Sequence, residues 1–189
     1  MLLRSKKNIF FRRNIWFSII IVCVLPLLFF FSQKYPLNQN TLVPSFSTLY
    51  SEAQVTKVID GDTIDVLIDG KEERVRLIGI DASEVEHEGK PGECFGKEAK
   101  MYLEGLLNGQ TVQLQSDPTQ SKRDEYNRLL RYVFLPPEER LVNSIMLSQG
   151  FAREYTFKGI PHRYQKEFQD AQRRAEQQKI GLFADGVCD

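Results

Sequence analysis

The sequence predicts an α+β fold that is mainly β: a small, closed or nearly closed barrel of five short strands with three helices packed on it, preceded by a single N-terminal membrane helix. Three observations carry this expectation: a two-residue apolar alternation beside an Asp-Gly turn, three later stretches with helical spacing, and one long uncharged apolar run near the start. The length of 189 residues suits one domain of ordinary size with a tail, not two full domains.

The N-terminal segment divides into a basic stretch, residues 1–14, and the apolar run IWFSIIIVCVLPLLFFF within residues 15–32. No charge falls between Asn14 and Gln33, about the 20 residues that a bilayer core requires. Arg4, Lys6, Lys7, Arg12 and Arg13 precede the run and only Lys34 follows closely, which puts the N-terminus in the cytoplasm and the body outside. The following SQKYPLNQN offers no small-x-small cleavage site, so an anchor is preferred; a cleaved signal, releasing a secreted domain, is the alternative. Residues 33–51 are polar, contain Pro36 and Pro44, and read as a tether. Residues 52–189 form the folded body.

Within the body, Ala53 to Ile59 is a first strand candidate, and Thr63 to Asp69 alternates Ile64, Val66 and Ile68 with polar residues. Asp69-Gly70 supplies the positive φ of a tight hairpin, and Arg74 to Ile80 is the return strand. Thr111–Gln115 and Leu129–Phe134 complete five strands. Helices are expected over Lys97 to Leu107, stopping at Asn108-Gly109, over Leu141 to Gln149, and over Arg163 to Gln178 with Tyr164, Phe168, Ala171 and Ala175 on one face. Closing five short strands into a barrel removes their exposed edges.

Charge and cysteine usage narrow the chemistry. All 25 Asp/Glu lie at Glu52 or later, whereas six of the 25 Lys/Arg lie before residue 35, so the body carries 19 basic against 25 acidic groups. A global basic field is excluded, and any polyanion site must be built locally. Three cysteines without a C-x-x-C pair and two histidines make a structural zinc site a poor expectation. With Cys23 inside the apolar run, Cys94 and Cys188 are the thiols left in an oxidising compartment and are expected to pair, worth about 2–4 kcal/mol. Two free cysteines are the alternative.

The informative stretches are I-D-G-D-T at Ile59–Thr63 and R-L-I-G-I-D-A-S-E at Arg76–Glu84. Folding the hairpin brings Asp62 and Asp81 together, and convergent carboxylates without His or thiolate favour a hard, oxygen-binding cation such as Ca²⁺. Arg76 falls within a residue or two of cross-strand alignment with Asp62. Taken alone, Asp60-Gly61-Asp62 also reads as an ordinary turn. It is not an EF-hand loop, since Ile64 and Asp65 occupy positions five and six, and neither G-x-S-x-G nor H-E-x-x-H occurs.

Together with F-G-K-E-A at Phe95–Ala99, D-E-Y-N-R at Asp124–Arg128 and G-L-F at Gly181–Phe183, these stretches resemble, in order and spacing, the staphylococcal (micrococcal) nuclease family over about Gln54 to Ala184. The resemblance implies an OB-type barrel with three helices. It further implies Ca²⁺-dependent hydrolysis of DNA and RNA phosphodiesters with little sequence preference, leaving 3′-phosphate ends. By the same resemblance Asp62, Asp81 and the backbone carbonyl of Ala82 hold calcium, Glu84 positions or deprotonates the attacking water, and Arg76 and Arg128 grip phosphate. Tyr126 and Tyr155, with Phe157 as a rival for the latter place, contact nucleotides. Ala82 stands where Thr is usual, Ser83 where Pro is common, and Asn127 where Gly is usual, though Asn tolerates a left-handed backbone. DNA and RNA are the expected partners, along with a membrane through the N-terminal helix. No obligate protein partner is implied, and a monomer is expected. The alternative is a non-catalytic OB-type module that binds nucleic acid or protein.

Overall fold

The computed structural model describes residues 50–188 except residue 88. The expected cytoplasmic segment, membrane helix and nearly all of the tether lie outside these residues; among the described ones, no helix is long and apolar enough to cross a membrane.

Strand β1 (Tyr50–Val58) buries Ala53, Val55 and Val58. Their spacing shifts from two to three because the register with the next strand slips between Val55 and Lys57, a bulge that turns Val58 rather than Lys57 inward. Strand β2 (Thr63–Ile68) and strand β3 (Lys71–Leu77) form the predicted hairpin, and Asp69 and Gly70 take φ of 49° and 79°, both in the left-handed region that the tight turn demands. Strands β5 (Thr111–Gln115) and β6 (Leu129–Leu135) follow the first helix. β1 pairs with β2 and β5, β5 with β6, and β6 runs parallel to β3 with Arg76 opposite Leu130, so five strands close on themselves. A two-residue strand β7 (Arg140–Leu141) extends β6.

One expected strand is divided. The return strand predicted to run to Ile80 stops at Leu77, and Ile80–Asp81 forms a separate β4. The break lies at Gly79, with φ of 78°, where a Cβ would stand 2.6 Å from the His162 ring and 2.8 Å from Phe168. No larger residue fits there, and the turn sends β4 away from the barrel to pair with β8 (Arg153–Glu154), Ile80 opposite Glu154 and Asp81 opposite Arg153.

The three predicted helices are present, and the first and last bury the faces expected of them. α1 (Gly96–Leu107) inserts Ala99, Leu103 and Leu107 into the core, α2 (Val142–Ser148) inserts Val142, Met146 and Leu147, and α3 (Gln165–Gln178) inserts Phe168, Ala171 and Ala175. α3 begins two residues later than expected because Tyr164, with ψ of 15°, is its N-cap, and the tyrosine ring packs edge-on against Tyr132 at 4.7 Å. Tyr132, Phe168, Ile64, Leu77, Ile80 and Leu103 are the largest fully buried side chains and join barrel to helices.

Candidate active site

The turn between β1 and β2 and the β3–β4 break open at the same end of the barrel. Gly61 lets this turn lie against the helix: a Cβ would stand 2.6 Å from the Ala82 Cβ and 2.7 Å from that of Ala99. Asp62, 4% exposed, accepts hydrogen bonds from the Ala82 amide at 2.9 Å on Oδ2 and from the Thr63 hydroxyl at 2.9 Å on Oδ1. Arg76 lies opposite Thr63, within one residue of Asp62 as expected, and its Nη2 contacts Asp62 Oδ2 at 2.9 Å and Asp81 Oδ1 at 2.8 Å. Asp62 and Asp81 therefore converge on a single cationic nitrogen. Nη1 of the same guanidinium donates to the carbonyls of Leu77 and Ile80 at 2.9 and 2.7 Å, which fixes the head across the β3–β4 turn.

Asp60, whose place in the site the sequence left to an ordinary turn, is buried beside Asp62, and its Oδ1 accepts the Asp62 amide at 3.0 Å. Burial pushes the Asp62 carboxyl up to about 7; Arg76 pulls it down, and the Asp60 charge raises it again. Glu84 lies on the loop after β4, its carboxyl raised by partial burial and then by Asp60. It makes no direct contact with Asp62 or Asp81, and the exposed His87 ring stands beside it, Nε2 at 3.9 Å. The sequence signal for Asp60 is its position two residues before Asp62, which in an Asx turn aims both acids at one place.

Arg128 and Tyr126 form a second group. Asn127 takes φ of 65°, so the turn survives without glycine. Asp124 organises it by accepting the amides of Tyr126 and Arg128 and the Arg128 Nε, the last at 2.7 Å. The Arg128 guanidinium stacks 5.3 Å from the Tyr126 ring, which is 73% exposed. Both line a cavity of about 350 Å³ with Asp65, Glu72, Glu73, Arg74 and Asn127, on the side of β3 away from its end at Leu77. No contact joins Arg128 to the Asp62–Arg76–Asp81 cluster; among the described residues its Nη atoms have no hydrogen-bond partner. Tyr155 and Phe157 project after β8, with ring centroids 6.4 Å apart and Lys158 over the Phe157 face. Arg123 pairs with Glu73 at 2.9 Å and so braces the hairpin.

The predicted disulfide is present, joining Cys94 to Cys188. Among the described residues, no three His, Cys, Asp or Glu side chains stand in metal-holding geometry. The side chains that converge on Arg76 are both carboxylates, Asp62 buried and Asp81 exposed, so the potential metal donors here are oxygens. Oxygen donors of this kind suit a hard divalent cation, and Asp62 and Asp81 are the side chains that could hold one.

The model of a family described as staphylococcal nuclease homologue matches residues 74–185, which takes in Arg76, Asp81, Glu84 and Arg128 and begins after Asp62. The thermonuclease of Staphylococcus hyicus is 34% identical over 131 residues, 69% of this chain and 75% of that relative. The thermonuclease of Staphylococcus intermedius is 35% identical, covering 68% and 74% of the two chains. The micrococcal nuclease of Shigella flexneri is 34% identical over 155 residues, 76% and 78%.

Proposed function

Because the chain belongs to the staphylococcal nuclease homologue family, we propose that it is a calcium-dependent nuclease. In this reading it hydrolyses DNA and RNA phosphodiesters with little sequence preference and leaves 3′-phosphate ends. The observation that carries the reading is the convergence of Asp62 and Asp81, distant in sequence, on one nitrogen of Arg76. Hydrolysis gathers negative charge on a pentacovalent phosphorus, and groups fixed beforehand stabilise it most. Calcium held by Asp62, Asp81 and the Ala82 carbonyl supplies part of that stabilisation.

The side chains supply the rest. Arg76, fixed between Asp62 and Asp81, meets one phosphate oxygen, and Arg128, whose side chain is committed to Asp124 only through Nε, offers its two Nη atoms to another. Glu84, its carboxyl raised by partial burial, takes a proton from the attacking water. The water oxygen bonds to phosphorus, the bond to the 5′ oxygen breaks, that oxygen takes a proton from solvent to leave as an alcohol, and the phosphate stays on the 3′ side. Tyr126, Tyr155 and Phe157 offer exposed rings on which bases stack without regard to sequence. The Cys94–Cys188 bridge supports an oxidising compartment, on the outer face of a membrane or beyond it.

The test is cleavage of end-labelled DNA and RNA by the protein with and without calcium, with the product ends identified. Calcium-stimulated cleavage to 3′-phosphates, abolished by a chelator, is expected. Nucleic acid bound but left intact overturns the proposal in favour of a binding module.

A further inference from the structure

The loop that carries Glu84 is closed at its neck by a single residue. The Glu84 amide donates to the Glu93 carboxylate Oε2 at 3.1 Å, and the Glu93 amide donates to the Glu84 carbonyl at 2.9 Å. Glu93 thus holds the backbone of Glu84 on both sides of its Cα. The carbonyl of Glu93 also accepts the Gly96 amide at 3.2 Å, which ties this neck to the first turn of α1. Gly96 is required there, because a Cβ would run into the Glu84 carbonyl.

The next two residues anchor Glu93 from outside. Cys94, exposed, is bonded to Cys188 across 94 residues of sequence. Phe95 takes φ of 69°, a strained conformation for a bulky residue, and its ring stacks on Phe151 at 5.4 Å, which in turn stacks on Tyr102 at 4.1 Å. A strained residue persists only where its surroundings over-determine it, and here those surroundings are the disulfide on one side and the aromatic stack on the other.

We propose that Glu93 is a positioning residue for Glu84 and that the Cys94–Cys188 disulfide holds it in register, making hydrolysis sensitive to the redox state of the protein. This rests on the nuclease reading of the site. Opening the bridge needs a dithiol. One of its thiolates attacks a sulfur of the disulfide, its second thiol then closes the reductant's own disulfide, and the two electrons and two protons leave Cys94 and Cys188 as thiols. With the clip open, Phe95 is free to leave its strained conformation, Glu93 moves with it, and the Glu84 carboxylate loses its aim at the water.

The experiment measures kcat and KM of the full chain on DNA, oxidised and after dithiothreitol, for the wild type and for Glu93→Ala, Glu93→Gln and Glu84→Gln. Amide hydrogen exchange at Glu84 and far-ultraviolet circular dichroism accompany the kinetics. Reduction and Glu93→Ala should each lower kcat about tenfold with KM little changed, a loss of the size that a small misplacement of a reacting group produces. The Glu84 amide should exchange faster in both while the fold persists. Glu93→Gln, which keeps an acceptor oxygen, should lose less than Glu93→Ala, and reduction should cost Glu84→Gln nothing further. Unchanged kcat and unchanged exchange after reduction, a loss carried by KM, or simple unfolding on reduction overturns the latch. An oxidised wild type that does not cleave removes the nuclease reading instead, and exchange at Glu84 still decides whether Glu93 and the disulfide hold that residue.

Discussion

Asp62 and Asp117 are equally buried, each 4% exposed, yet their carboxyl groups shift in opposite directions. Burial alone raises both. For Asp117, burial is outweighed by the Tyr132 hydroxyl at 2.6 Å, the Arg163 amide at 2.7 Å and the Thr119 amide and hydroxyl at 2.8 Å each, which together hold it below the ordinary range. For Asp62 burial is the largest influence and outweighs Arg76 and the Ala82 amide, and the charge of Asp60 beside it adds to the rise. The difference separates two uses of a buried acid. Asp117 is saturated with donors and knits the loop after β5 to β6 and the start of α3. Asp62 is under-compensated, and the positive charge it lacks is what a bound divalent cation would supply.

The contrast is broken most sharply by activity. Glu84→Gln or Arg128→Ala should each lower the cleavage rate about 10²-fold or more, the loss expected for one preorganised transition-state contact. Wild-type turnover by either variant removes that residue from the site. Stability should respond the other way round. Asp117→Asn, read by urea unfolding, should cost about 2–3 kcal/mol by leaving buried donors poorly paired, whereas Asp62→Asn should change stability by less than about 1 kcal/mol. Equal losses would mean that both acids are simply structural. Saturating calcium should raise the melting temperature of the wild type, by about 2.7 kcal/mol of stabilisation at a hundred times Kd, and leave Asp62→Asn unmoved.

The smallest effect concerns acid. His162 is buried, its Nδ1 3.1 Å from the Tyr132 hydroxyl and its Nε2 without a hydrogen-bond partner, 3.4 Å from Glu154. Burial holds its pKa below the ordinary value, against the pull of Glu154 and Asp117. The unfolded chain takes a proton that the folded chain refuses, so His162 contributes a loss of stability as pH falls through about 6.5. It is opposed by the gain from Asp62, whose carboxyl, raised to about 7, takes its proton first in the fold. Asp117, lowered in the fold, adds a second loss below about pH 4, as the unfolded carboxyl protonates first. His162→Gln should remove only the His162 contribution, so in urea titrations the variant should gain stability relative to the wild type as pH falls from about 7 to 5.

The parts legible in the sequence were those set by local rules. Alternation around Ile64 and Val66, positive φ at Asp69-Gly70, and apolar spacing along Ala99, Leu103 and Leu107 each follow from backbone geometry within a few residues. The convergence of Asp62 with Asp81 followed from the hairpin. What stayed hidden depends on contacts distant in sequence. The break at Gly79 is imposed by His162 and Phe168, and Asp65, on the polar side of an alternating strand, is buried because Arg74 grips both its oxygens at 2.7 and 3.0 Å. Asp60 resembled any turn aspartate, since only the fold shows it packed against Asp62. The placement of Arg128 outside the Arg76 cluster likewise reflects its grip by Asp124 within the Asp124–Arg128 turn, where the motif spelled both residues without revealing that they pair.

Calorimetric titration of calcium into the wild type and Asp62→Asn tests the central claim most directly. The wild type should bind one ion, with a Kd of about 10⁻⁴–10⁻³ M for an oxygen site of few charges, and the variant should bind none in that range. Equal binding by the two proteins, or none by either, would contradict a calcium site built on the Asp62–Asp81 pair.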